Sequence, residues 1–457
     1  MNYKISVAEF LRSSASGNID YNDFVEKFTT KAAELNKKYN FLNVANNKSP
    51  KPSPNLFGLP VSVKDCICTK GIQTAAGSKM LEGYIPSFDA TCVSRIKENG
   101  GFICGKTNQD EFGFGTFSVN CAYGKPRNPI DPERSCGGSS GGAAGLTAAM
   151  DMPHIAIAES TGGSISCPAA FCGVVGLTPT YGLVSRYGLV DYACSLDKIG
   201  VIGKSVYDAA LMLSHIGGFD NRDSTSLKHE KQDYTKYVNS DMKGKKIGVP
   251  KEYFNASSEV KKSVWAAIKK LESLGAECTE FSLPSTKFAL SAYYIIATAE
   301  ASTNLARYCG MRYGLHKDLH GNFNEYFSDV RSTGFGEEAK RRIILGTFAR
   351  MAGYRNAYYL KALKVRSMII SDFKRAFRKF DVIAAPTMSI TAPRFSEIEK
   401  LSPLQVYQMD LLTIPTNLAG MPHISVPCGS MIGLHLIGNH LEEGKIIEVA
   451  AAYEKSR

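Results

Sequence analysis

The chain has 457 residues, 44% hydrophobic and 21% charged, with a net charge of +11 at pH 7. These are the proportions of a soluble globular protein with a large core, and no segment is long and apolar enough to span a bilayer. The positive balance permits an acidic partner such as RNA, but the chain carries no RNA-binding module signature of the common kinds.

The first forty residues read as two helices. Ser6 is placed as an N-cap with Glu9 three residues on, and Asp20 opens a second helix carrying Phe24, Phe28 and Ala32 on one face. The first ten residues lack the apolar run of a signal peptide, and Glu9 and Asp20 interrupt any organelle-targeting segment, so a cytoplasmic location is expected. Lys48–Pro54 is a Pro-rich loop. A Gly-rich α/β stretch follows over 58–205, with buried strands expected at Val61–Val63 and His154–Ala158 and an Ala-rich helix over Gly141–Met150. Residues 243–249 read as a further strand. From 257 to 380 the pattern is mostly helical, with periodic segments near 258–274 and 338–379. Asp381–Pro386 returns to strand, 418–438 to strands and turns, and 441–454 to a last helix. Strand signals on both sides of a helical middle predict one α/β domain over 1–457, with a mixed central β-sheet, helices on both faces and a helical insertion.

The twelve cysteines include no Cys-x-x-Cys pair and no Cys/His cluster at zinc spacing, so they read as buried reduced thiols and no metal is expected.

Three short motifs carry the chemistry. Thr161-Gly162-Gly163-Ser164-Ile165 places a serine after two glycines, where backbone N–H groups of Thr161, Gly162 and Gly163 can approach a substrate closely and serve as an oxyanion hole. Lys64 follows the alternating segment Val61-Ser62-Val63, which can aim it into a site at the strand end. As a base it would have to be held neutral by burial. Ser139 and Ser140 lie between glycine pairs in Cys136–Gly142, where one serine can relay a proton between Lys64 and Ser164. Each fragment alone has a plainer reading: a tight turn, a surface lysine, a helix N-cap. No histidine has a triad context, and His154 reads as core.

Together, Val63-Lys64-Asp65, Gly137–Gly142 and Thr161–Ile165 followed by Pro168-Ala169-Ala170-Phe171-Cys172-Gly173 resemble the amidase signature family over nearly the whole chain. The resemblance implies a Ser–cis-Ser–Lys triad, with Ser164 as nucleophile, Ser139 as the cis-serine and Lys64 as general base. Ser139 is preferred to Ser140 because its distance from Lys64 matches the family's spacing, although the interval to Ser164 is one residue longer. Val174–Leu189, Glu300-Ala301-Ser302, Arg312-Tyr313-Gly314, Gly334–Phe348 and Asp410–Gly420 resemble, within that family, the A subunits of aspartyl/glutamyl-tRNA amidotransferases. That likeness implies glutamine hydrolysis. It implies a tRNA-binding B subunit that uses the released ammonia with ATP and Mg²⁺, a small C subunit, and no cofactor in this chain. It assigns glutamine binding to Tyr293, Arg342 and Asp410. It leaves open whether Glu-tRNA, Asp-tRNA or both are served.

Two positions depart from the pattern. Ser160 stands where the family has Asp, and Ser166 where it has Arg, which reads as loss of a mutually supporting pair and not of catalysis. The competing readings are a free-standing amidase and an inactive scaffold subunit.

Overall fold

A computed structural model describes residues 3–48, 52–239, 242–319 and 321–457. Its first helices are Val7–Ala15 and Tyr21–Tyr39. The Ser6 side chain accepts from the Glu9 N–H, and Asp20 accepts from Asn22 and Asp23, which satisfies donors that a helix start leaves open. Phe24, Phe28 and Ala32 are buried, as their spacing requires. Of the Pro-rich loop, residues 49–51 lie outside the described residues.

Eleven strands follow: β1 (Leu42–Ala45), β2 (Pro60–Lys64), β3 (Phe102–Thr107), β4 (Ile155–Ser160), β5 (Val175–Thr178), β6 (Lys198–Gly203), β7 (Lys246–Pro250), β8 (Glu277–Phe281), β9 (Val382–Pro386), β10 (His423–Gly429) and β11 (Ile432–Ile437). They form one sheet in the order β1-β3-β2-β4-β6-β5-β10-β11-β9-β7-β8. β2 runs parallel to β3 and β4, and β7 parallel to β8 and β9. The other neighbours are antiparallel, so the sheet is mixed. Every residue of β2, β3, β4, β6, β9 and β11 is buried. Burial of alternate side chains on both sides requires helices on both faces.

The stretch 257–380 is mostly helical, with one strand inside it. It contains helices Ser258–Ser273, Ala289–Asn304, Phe323–Gly334, Glu337–Arg350 and Lys361–Ala376, but also β8. β8 pairs parallel with β7 at the sheet edge, and its Glu277, Thr279 and Glu280 are exposed. An edge strand with charged exposed positions lacks the apolar run that marks a buried strand. Strands β1, β3, β5 and β6 were likewise not individually legible.

Two features position the site. β2 and β4 pair in register, with Val63 opposite Ile157, so the strand ends carrying Lys64 and the turn after Ser160 emerge together. The helix Gly141–Ala149 must also lie close behind the sheet. A Cβ at Gly145 would stand 2.8 Å from Phe41 Cδ1, so only glycine allows that approach. Among the described residues no helix is long and apolar enough to cross a membrane. All twelve cysteines are free, and seven are buried.

Candidate active site

Lys64 closes β2 with its side chain wholly buried. Its Nζ donates to Ser139 Oγ at 2.7 Å, to the Glu159 carbonyl oxygen at 2.9 Å and to Glu159 Oε2 at 2.9 Å. Ser139 follows a cis peptide bond from Gly138. Ser140 turns elsewhere, donating from Oγ to the Glu159 carbonyl oxygen at 3.2 Å. Of the serine pair, Ser139 is thus the one in contact with the lysine.

Ser164 lies in the turn between β4 and the helix Ser166–Cys172, and is 6% exposed. The turn is pinned through its carbonyls. Gly162 O accepts from Asn417 Nδ2 at 2.6 Å, and Gly163 O accepts from Cys167 N at 2.9 Å. A Cβ on Gly163 would overlap Thr413, and one on Gly162 would stand 2.7 Å from the Tyr293 hydroxyl. The serine-pair loop rests on the helix that Ser164 precedes, since a Cβ on Gly137 would lie 2.8 Å from Pro168 Cα. Thr161 Oγ1 lies 2.7 Å from Glu159 Oε1 and 2.8 Å from Asp197 Oδ1.

Helix Glu337–Arg350 supplies a second cluster. Arg342 is buried while Arg341 faces outward toward Glu338. The Arg342 guanidinium is enclosed by Phe114, Tyr192, Tyr294 and Tyr407, with ring centroids 5.1 to 5.6 Å away. Its Nη1 donates to Tyr192 OH at 2.6 Å, and its Nε to Glu338 Oε1 at 2.8 Å. Asp410 is partly buried and accepts from Thr116 Oγ1 at 3.0 Å and Tyr294 OH at 2.8 Å. Burial pushes its carboxyl up to about 6, against these hydrogen bonds and the nearby Arg342. Tyr293 lies over Gly162, and its ring is 5.0 Å from that of Tyr294. The sites assigned to Tyr293, Arg342 and Asp410 therefore adjoin the Ser164 turn.

Several members of the site were not legible in sequence. Tyr294, Tyr192, Thr116 and Glu338 hold the charged residues, and Glu159 holds Lys64. Asp410 and Thr116 are 294 positions apart, and no local pattern reports such a contact. Glu159 sits in an apolar strand, where a lone acid could have been noticed as out of place.

The two departures occupy different surroundings. Ser160 Oγ is buried without a hydrogen-bond partner. Ser166 Oγ lies 3.0 Å from His423 Nδ1, which is also 3.0 Å from His435 Nε2. Burial pushes both imidazoles down, His435 to about 3, so they are neutral at ordinary pH.

The sequence profile of the Amidase family matches residues 6–447. The chain belongs to the amidase family. Among its amidase-family relatives, the A subunit of glutamyl-tRNA(Gln) amidotransferase from Halothermothrix orenii is 51% identical over 408 residues, covering 88% of this chain and 85% of the relative. The protein of the same name from Persephonella marina is 47% identical over 439 residues, covering 95% and 88%. The crystal structure of the A subunit of glutamyl-tRNA(Gln) amidotransferase from Thermotoga maritima superposes with a TM-score of 0.83 at 37% identity, covering 100% of this chain and 95% of that one. The α/β reading is that of the amidase fold.

Proposed function

We propose that this amidase-family chain is the glutaminase subunit of a tRNA-dependent amidotransferase. The observation that carries the reading is the buried contact of Lys64 Nζ with Ser139 Oγ at 2.7 Å, beside a turn that carries a serine after two glycines. Buried charges adjoin that turn. A hydrolase of apolar amides needs neither Arg342 nor Asp410. Free glutamine carries both an α-carboxylate and an α-ammonium, which an Arg fork and a carboxylate meet directly.

In this reading Ser164 Oγ attacks the side-chain amide carbon. Its proton passes to Ser139 Oγ as Ser139 gives its own to Lys64 Nζ. The backbone N–H groups of Thr161, Gly162 and Gly163 stabilise the oxyanion, a contribution of about 10²–10³-fold in rate per donor. The tetrahedral intermediate collapses with return of the proton to the leaving nitrogen, so ammonia departs and a glutamyl ester remains on Ser164. Water, deprotonated by the same relay, releases glutamate. Arg342 holds the α-carboxylate, Asp410 the α-ammonium, and Tyr293 walls the site above Gly162.

The ammonia serves a B subunit that binds tRNA, ATP and Mg²⁺ and converts mischarged Glu-tRNA(Gln), Asp-tRNA(Asn) or both. A small C subunit completes a cytoplasmic heterotrimer. The reading follows from the roughly 50% identity to named A subunits and from the glutamine-shaped charge pattern. A glutamine-like electrophile tests it. The compound should label Ser164, and Ser164→Ala should abolish both labelling and glutamine hydrolysis. Labelling at another residue, or wild-type turnover by the variant, would overturn the assignment.

A further inference from the structure

Glu159 is the residue of the site that the proposed reaction does not use. It is 3% exposed, and its carboxylate meets Lys64 Nζ at 2.9 Å. Successive strand residues face opposite ways, so an acid at position 160 would not meet the lysine as one at 159 does. We propose that Glu159 is a positioning residue that governs the proton on Lys64, as the link to the lysine in a buried chain Asp197–Thr161–Glu159–Lys64–Ser139. The inference rests on the reading of Lys64 as base and Ser164 as nucleophile.

Geometry gives the positioning. Nζ has three partners: Ser139 Oγ, Glu159 O and Glu159 Oε2. A neutral amine has two N–H groups and one lone pair. The carbonyl and the carboxylate both accept, so they take the two N–H groups. The lone pair then falls on Ser139, where a base must act. Without the carboxylate, the amine is free to turn its lone pair away.

Geometry also joins Glu159 to Asp197. The Thr161 hydroxyl has a single proton and stands between two carboxyl oxygens, at 2.7 and 2.8 Å. Both contacts are hydrogen bonds only when one carboxyl carries a proton. Burial first and the Glu159 charge second push the Asp197 carboxyl up, while its two oxygens accept from the backbone N–H groups of Tyr192 and Ala193. A carboxylate at this distance stabilises the ammonium form of an amine. Other titratable or charged groups near this chain are Cys66, Lys106 and Asp65 beyond β2, Asp110 near Ser139, and Arg186 and Asp191 beyond Asp197.

The test uses a fluorophosphonate, which labels an activated serine whatever its natural substrate, with the full chain across a pH series. Glu159→Gln should move the acid limb of Ser164 labelling to lower pH by about one to three units, and the plateau should fall. Glu159→Asp, which keeps the charge, should bring the limb back toward its wild-type position. Thr161→Val removes the hydroxyl that supports the carboxylate, so Lys64 should keep its proton more firmly and the limb should rise. A limb unmoved in Glu159→Gln, or moved equally by Gln and Asp, overturns the proposal. Should Glu159→Gln fail to fold, an unmoved limb in Thr161→Val overturns it. Wild-type labelling at Ser164 without glutamine turnover would refute the glutaminase reading and leave this inference standing on the limb shifts. Absence of wild-type labelling at Ser164 would overturn both.

Discussion

Lys64 and Ser164 are expected to fail together. In the proposed mechanism they act on one proton path, so Lys64→Ala and Ser164→Ala should each lower glutamine hydrolysis by about four orders of magnitude, and the double variant should be little worse than either. Additive losses in a steady-state assay would argue against a shared path. In the same proposal Asp410 belongs to a different step, the holding of the α-ammonium. Burial holds its carboxyl up to about 6, so it is ionised above that pH and loses its charge as the pH falls through it. kcat/KM for glutamine should therefore show an extra fall below about pH 6, which an activated ester lacking the α-ammonium does not show. Asp410→Ala should raise KM for glutamine far more than it slows the ester. Equal losses on the two substrates would make Asp410 structural and favour a free-standing amidase. The sequence placed these residues through type and family spacing. It could not supply Tyr294, whose hydroxyl reaches Asp410 at 2.8 Å, because either ring of the Tyr293–Tyr294 pair satisfies a one-dimensional pattern.

The elements with periodic or capped sequences were readable: the two N-terminal helices, β2, β4, β9 and the C-terminal helix Glu443–Lys455. Those defined by a partner were not. β8 is exposed along most of its length and exists through its ladder with β7. The periodic run over 338–379 is two helices, Glu337–Arg350 and Lys361–Ala376, because the intervening chain turns at Gly353 with φ 88°. Packing demands are strictest at the Gly-rich helix. Gly145→Val would drive methyls into the Phe41 ring and should destabilise the fold by about 1–3 kcal/mol, read as a lowered midpoint in denaturant unfolding. An unchanged midpoint would mean that this helix can move off the sheet. Asp20→Ala removes only a cap and should cost about 1 kcal/mol.

At the scale of the molecule, one sheet of eleven strands gathers residues from position 64 to position 410 around one turn. In the proposed reading the amide donor and the amide acceptor are handled by different subunits. A complex carrying Lys64→Ala should therefore lose glutamine-dependent amidation and keep amidation driven by added ammonium salt. Loss of both would show a structural lesion and leave the base role unsupported. The sequence by itself determined the mixed α/β class and the family, and offered Lys64, Ser139 and Ser164 as candidates for base, relay and nucleophile. These follow from local chemistry: glycines that permit tight turns, apolar strands that end in polar residues, and caps that start helices. Only the tertiary structure decided which serine meets Lys64, which arginine faces inward, and that Glu159 stands against the lysine. Those contacts join residues 75 to 150 positions apart, or depend on which way a side chain turns. Parallel pairing of β2 with β4, and burial of a helix against the site, fix them after the chain has folded.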